Sequence, residues 1–217
     1  MSTLFKKQIF CDPDSLEPNV VVSASNEDAL GNWSKSKAPL AVWYRTFDSE
    51  IVARLDKLAF KDLPKTRFVT SPQNAEVMIA DALCLIPQHD DVLMGALALD
   101  IEGLIDRFAR ITKSRAVDVR LDAINDDACS LFHIDNTSVR LVTTYIGPGT
   151  KWVPNYSAAE AVRQQDLYAG PENEIPRFAV GIFAGAKAGR QALVHRSPRL
   201  SGTGRHRLLL CLNSSSA

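Results

Sequence analysis

The chain has 217 residues, with 25 Lys and Arg against 25 Asp and Glu, so its formal net charge is zero and a general nucleic-acid binder is disfavoured. A hydrophobic fraction of 46% beside 23% charged residues excludes a disordered chain, and no run of about 18 apolar residues offers a membrane-spanning helix. The four cysteines, Cys11, Cys84, Cys129 and Cys211, are widely spaced and form no CxxC pair. A disulfide framework and a Cys-only zinc site are therefore not expected. Met1–Cys11 has no apolar core of a secretory signal, and the expected compartment is a reducing cytoplasm.

Residues 1–38 are rich in Ser, Asn, Asp and Pro and read as an irregular arm with one strand at Val20–Ser23. Ala41–Arg45 has strand composition. Asp48 is placed to cap a helix from about Ser49 to Phe60, whose apolar residues Ile51, Val52, Leu55 and Leu58 recur at helical spacing. A turn at Pro64 precedes a second helix over Pro72–Leu85. The clearest helix runs from about Asp91 to Lys113, with a broad apolar face including Leu93, Leu97, Leu104 and Phe108.

From Ala116 the pattern changes. Val117–Ala123 alternates apolar and charged residues, as a half-buried strand does. Further strands are expected at Ser130–Asp135, Val139–Ile146, Phe178–Phe183, Ala192–His195 and His206–Leu212. They are separated by the turns Gly147-Pro148-Gly149, Gly185–Gly189 and Ser201–Gly204. Helices followed by a run of strands predict an α+β protein with a double-stranded β-helix (jelly-roll, cupin-like) core. The expected organisation is an arm at 1–38, a helical layer at 39–114 and the β core at 115–217, forming one structural domain.

Charge is unevenly spread. No acidic residue follows Glu174, whereas Arg177, Lys187, Arg190, Arg196, Arg199, Arg205 and Arg207 do. This excess either neutralises acidic helices elsewhere or builds an anion site from the last strands. Among the four histidines, His133 stands in Phe132-His133-Ile134-Asp135, and a strand period of two would turn His133 and Asp135 to the same face. An imidazole and a carboxylate side by side are two ligands for a divalent metal, and His195 is placed to be the third. Arg205 follows ten residues later. Its planar fork suits the far carboxylate of a dicarboxylate whose other end chelates the metal. Arg207 competes for that role on the same face, the alternative being that one of the two pairs with an acid such as Asp122.

The pattern of HxD, a distant His and an Arg about ten residues beyond resembles the Fe(II)/2-oxoglutarate dioxygenases. The stretches Arg140–Tyr145, Gly147–Thr150 and Trp152–Pro154 are similar to those of prolyl-hydroxylase-like members. The combination FHxDN, TYxGPGTxW, VHRSP and RLLL over about residues 40–212 more closely resembles a bacterial family, domain of unknown function 1826. The resemblance implies that His133, Asp135 and His195 form the metal and catalytic triad for Fe(II). It also implies that Arg205 or Arg207, with Tyr145 and Thr143 nearby, holds 2-oxoglutarate, the cosubstrate, while the primary substrate stays open. The same ligands accept zinc. A non-catalytic zinc-binding protein, or a cupin-like metalloenzyme without 2-oxoglutarate, are therefore the rival readings.

Other residues have blander expectations. Cys129, about 13 Å from His133 along an extended strand, is expected to be a small core residue rather than a nucleophile. His89 reads as a cap or surface group, and His206 as a packing residue facing away from its neighbouring arginines. Trp152 either walls the pocket mouth or packs in the core, and Asn136 either closes a strand end or orients Asp135. No phosphate loop, dinucleotide fingerprint, serine-hydrolase elbow or HExxH zinc motif is present.

Overall fold

A computed structural model describes residues 22–26, 28–84 and 90–214. Ten strands and five α-helices follow in chain order. They are β1 (Val22–Ala24), α1 (Asp28–Trp33), β2 (Leu40–Trp43), α2 (Ser49–Leu55), β3 (Thr66–Thr70), α3 (Ala75–Leu83) and α4 (Asp91–Thr112), then β4 (Val117–Ile124), β5 (Val139–Ile146), β6 (Thr150–Trp152), α5 (Ala158–Gln164), β7 (Asn173–Ile175), β8 (Val180–Ala184), β9 (His195–Arg196) and β10 (Arg207–Ser214). Seven strands form one sheet in the order β1-β2-β8-β5-β10-β4-β3, and β7-β6-β9 form a second. Every pairing is antiparallel except β1 with β2. Two facing sheets with a helical layer outside the larger one make the α+β, jelly-roll architecture that the sequence predicts.

The helical layer forms where its local chemistry directs it. Asp48 caps α2, its Oδ1 accepting from the Glu50 amide at 2.8 Å. The helix stops at Leu55, short of Phe60, because the chain turns there into a short 3-10 segment at Phe60–Asp62. Pro72–Asn74 is likewise a 3-10 turn ahead of α3. The long helix α4 starts where Asp90 Oδ1 accepts from the Leu93 amide and ends at Lys113, which takes the left-handed conformation at φ 56°. Its buried stripe of Leu93, Leu97, Ile101, Leu104, Ile105 and Phe108 joins one core with Leu121, Leu141, Ile182 and Leu210 from the large sheet.

The opposite face of that sheet encloses a second core with the small sheet. Leu40, Val42, Val142, Phe183, Leu209 and Cys211 meet Ile175 and Leu193, with Trp152 packed against them. The turn between β5 and β6 needs its glycine. Gly147 has φ +82°, and a side chain there would fall on the His206 carbonyl oxygen.

Several expectations change. β2 and β3, from the stretch read as the helical layer, extend the large sheet on both sides of the 117–214 strands. Ser130–Asp135 is not a strand. It is a loop touching the small sheet through one bridge, His133 to His195, and only His195–Arg196 of the segment around Ala192–His195 pairs as a strand. The short strands β3, β6 and β7 have no counterpart in the sequence reading. Val20 and Val21, Cys11 and His89 lie outside the described residues.

Candidate metal and carboxylate site

His133 and His195 are joined through their backbones. The His133 amide donates to the His195 carbonyl at 3.0 Å, and the His195 amide returns the bond at 3.1 Å. This exchange brings two residues far apart in sequence side by side, their ring centroids 4.6 Å apart. Asp135 enters the same space because backbone bonds hold its loop against the turn after β8. The Ala186 amide donates to the Asp135 carbonyl at 2.8 Å, and the Lys187 amide to that of Thr137 at 3.0 Å. Gly185 makes this approach possible, since an added Cβ would fall on the Thr137 carbonyl oxygen.

Side chain orientation follows from these anchors. The Nδ1 atom of His133 lies 2.8 Å from the Leu131 carbonyl, and that of His195 lies 3.3 Å from the Leu193 carbonyl. A carbonyl oxygen only accepts, so each neutral ring carries its proton on Nδ1 and turns the lone pair of Nε2 inward. Both Nε2 atoms face Asp135, at 3.5 Å from Oδ1 for His133 and 3.3 Å from Oδ2 for His195. One ligand atom from each of the three residues lies within 4.8 Å of the others. His195 and Asp135 are buried and His133 is half-buried.

The electrostatics of the cluster favour a cation. Burial by itself would raise the Asp135 carboxyl, but the adjoining His133 and His195, which bond to it when they take up a second proton, and the charge of Arg140 hold it well below the usual carboxylate range. Asp135 in turn draws the His133 pKa upward, against the effect of burial. The Arg140 guanidinium stands 2.6 Å from Asp135 Oδ2, yet off the line of its N–H bonds, so this buried oxygen has a charge beside it and no hydrogen-bond donor. Two inward lone pairs and an undonated carboxylate oxygen are a donor set that fits a divalent metal with two imidazoles and one carboxylate. These three residues would hold it.

A cavity of about 500 Å³ opens from this cluster towards β3 and β4. Val142, Thr150 and Leu209 are among its walls, and Lys65, Arg67 and Arg120 stand at its outer edge. Behind Thr150 lies Arg207, 1% exposed and the second-largest fully buried side chain after Trp33 among the described residues. Its Nη2 donates to the Thr150 hydroxyl at 2.6 Å and to the Thr144 hydroxyl at 2.8 Å, and its Nη1 has no hydrogen-bond partner among the described residues. Burial pushes this guanidinium down to about 10, against the distant pull of Glu174. A buried guanidinium held only by neutral hydroxyls, with one face unmet, is built for an anion.

The structure separates the remaining sequence candidates. Arg205 is exposed in the turn before β10, because the strand begins only at Arg207 and the period of two does not reach back to it. Asp122, offered as a partner for one of these arginines, pairs with Arg120 instead. Tyr145 and Thr143 do share a face, but it is the helix-facing one. Tyr145 donates to Asp100 Oδ2 of α4 at 2.6 Å, and Thr143 donates to the Phe178 carbonyl at 3.3 Å. Thr144 and Thr150, which the sequence reading passed over, are the hydroxyls on Arg207. Cys129 is exposed at the cavity in the left-handed region, φ 59°, rather than in the core. Trp152 packs against the inner core, Asn136 is exposed, and the His206 ring lies on the helical side, 6.0 Å from the Phe60 ring.

A family model described as "Protein of unknown function (DUF1826)" matches residues 24–213. No curated protein matches the chain by sequence. Among solved structures, the chain is similar to the dioxygenase for auxin oxidation 1 from Arabidopsis thaliana in its 2-oxoglutarate complex. That match has a TM-score of 0.50 and 10% identity, and covers 91% of this chain and 92% of the other. A prolyl-4-hydroxylase from Pseudomonas putida aligns over 88% of this chain and 98% of its own, with 10% identity and a TM-score of 0.44. The apo structure of the Kdo hydroxylase KdoO, a non-haem Fe(II) alpha-ketoglutarate-dependent dioxygenase, aligns over 90% of this chain and 87% of its own, with 8% identity and a TM-score of 0.45. At 10% identity the likeness to the first of these speaks for a shared fold and not for a shared reaction.

Proposed function

The chain belongs to the DUF1826 family, and from the residues around its inner cavity we propose that it is a non-haem Fe(II)- and 2-oxoglutarate-dependent oxygenase. The observation that carries this reading is the pairing of two features in one barrel interior. One is a His133–Asp135–His195 cluster with all three donors turned inward. The other is the buried Arg207, which has no acidic partner among the described residues and is reached through the cavity-lining Thr150. A zinc store would need only the cluster and would leave Arg207 without a purpose. A dicarboxylate cosubstrate needs both.

In this reading His133, Asp135 and His195 bind the iron, which when present supplies oxygen activation coupled to oxidative decarboxylation of 2-oxoglutarate. The protein's own work is placement. Nδ1 bonds to the Leu131 and Leu193 carbonyls fix both imidazoles in the ligating tautomer. Arg207 binds the far carboxylate of 2-oxoglutarate through its unmet Nη1. The Thr144 and Thr150 hydroxyls accept from the guanidinium and so keep their own protons to donate to that carboxylate. Val142 and Leu209 give the cosubstrate apolar walls that keep water from its methylene carbons.

Anaerobic addition of Fe(II) and then 2-oxoglutarate to metal-free protein tests this directly. The visible charge-transfer band of the chelate should appear with the wild type, be absent in His133→Ala, and require about 100-fold more 2-oxoglutarate in Arg207→Met, on the scale of a lost charge-assisted hydrogen bond. Arg205→Ala should titrate like the wild type. No band from the wild type, or a normal one from Arg207→Met, would defeat the proposal.

A further inference from the structure

Among the described residues Arg140 is the one arginine or lysine that pairs with the Asp135 carboxylate, and it does not stand alone. Asn213 on β10 is in register with Asp118 on β4 and with Arg140 on β5, so the three form one row across adjacent strands. Arg140 Nε donates to Asn213 Oδ1 at 2.8 Å, and Asn213 Nδ2 points to Asp118 Oδ2 at 3.4 Å. At the edge of the sheet Arg67 of β3 clamps Asp118 with two bonds of 2.8 Å. The amide of Asn213 therefore has its oxygen on a cation and its nitrogen on an anion, which fixes its orientation. Arg140 is thereby anchored from behind, and its Nη1 is left at Asp135 Oδ2.

This row matters because Asp135 has no strand of its own. Its backbone is held by the bond from Ala186, but among the described residues its carboxylate meets only His133, His195 and Arg140. His133 faces its Oδ1, while His195 and Arg140 face its Oδ2. Of the three, only Arg140 stands on a strand of the large sheet. We propose that Arg140, set by Asn213 and Asp118, is a positioning residue that holds the Asp135 carboxylate in the orientation facing both imidazole Nε2 atoms. It acts through Asp135 and needs no contact with a metal, and it deepens the reading of the site as a metal centre, on which it rests.

Co(II) is the probe, because its visible d–d spectrum reports the arrangement of ligands apart from any turnover. Wild-type protein should bind Co(II), and His133→Ala should not. Arg140→Gln should weaken Co(II) binding by about 10- to 100-fold, the usual range for a group that orients a metal ligand, and change the shape of the d–d band. Arg140→Lys should recover part of both, since an ammonium supplies the charge but cannot bridge Asn213 and Asp135 as a planar fork does. Asn213→Ala, which keeps Arg140 and frees its rear anchor, should weaken binding several-fold; it carries the test if Arg140→Gln fails to fold. If Co(II) binds the wild type while the Arg140 and Asn213 variants bind it equally tightly with an unchanged spectrum, the role of Arg140 is wrong and the metal site stands. Tighter binding by Arg140→Gln would also overturn it, by showing that the guanidinium competes with the metal for Asp135. Absence of Co(II) binding by the wild type would remove the metal site and this inference together.

Discussion

The two faces of the seven-stranded sheet treat buried charge in opposite ways. On the helix face, Arg45 forks onto Asp100 of α4, Tyr145 donates to the same carboxylate, and the Arg45 guanidinium lies over the Trp43 and Phe47 rings at 5.2 Å. Each of these ionic groups is answered by another from the chain. On the cavity face, among the described residues, Arg207 has no acidic partner and an Nη1 without a hydrogen bond, and Asp135, though paired with Arg140, keeps an oxygen without a hydrogen-bond donor. The same strands support both faces, so the difference does not come from the backbone. The face that closes the core satisfies its charges internally, and the other face leaves the Arg207 guanidinium without a counter-charge, as the proposed binding of a carboxylate there requires.

The largest effect should come from breaking the satisfied face. Asp100→Ala strands the Arg45 guanidinium, and loss of one partner of a buried pair costs about 3–5 kcal/mol, or roughly 10 °C of melting temperature for a chain of this size. Thermal unfolding measures it, and the folded fraction should still form the Fe(II)–2-oxoglutarate band at unchanged ligand concentration. The opposite sign is expected on the other face. Arg207→Met replaces a buried, acid-free charge by an apolar side chain of similar length and should raise stability by about 1–4 kcal/mol while cosubstrate binding is lost. A fall in melting temperature for Arg207→Met would erase the contrast between the faces.

The smallest effect lies at the sheet edge. The hydrogen bonds from Arg67 hold the Asp118 carboxyl below its usual range. A depressed folded-state pKa contributes stability that is present above about pH 4, the unfolded value, and is lost as pH falls through the folded one. Asp118→Asn should therefore be modestly less stable than the wild type at pH 7, with the gap narrowing as pH falls below about 4, as urea titrations above and below that value would show. An equal gap at both would mean that packing rather than charge sets the row.

What the sequence made legible follows the same physics. The helix α4 and the strands β4, β5 and β10 run for eight residues or more, so their periodicity has room to register. β6, β7 and β9 have two or three residues and no period to read. The candidate metal ligands His133, Asp135 and His195 are visible as residue types, although the segment that carries the first two is a loop. The proposed cosubstrate side is harder. From Leu141 to Ile146 β5 is buried on both faces, so alternation shows that Thr143 and Tyr145 share a side without telling which side it is. A register shift then places both Tyr145 and Ile146 in the helix-side core. Arg205 and Arg207 compete on equal terms in the sequence because nothing there marks where β10 begins.

That strand has a kinetic consequence. β10 is the last of the described strands, yet it lies between β5 and β4, near the middle of the large sheet. Until it is made and inserted, the group β1-β2-β8-β5 and the pair β4-β3 have no shared edge, and most pairings that complete the sheet join residues distant in sequence. Folding by such non-local closure is slow, and the unfilled gap between β5 and β4 exposes two strand edges to other chains. Because Arg207 is the first residue of β10, the proposed carboxylate pocket comes into being in the same event that closes the sheet. On that reading, a chain able to capture the cosubstrate is one that has finished folding.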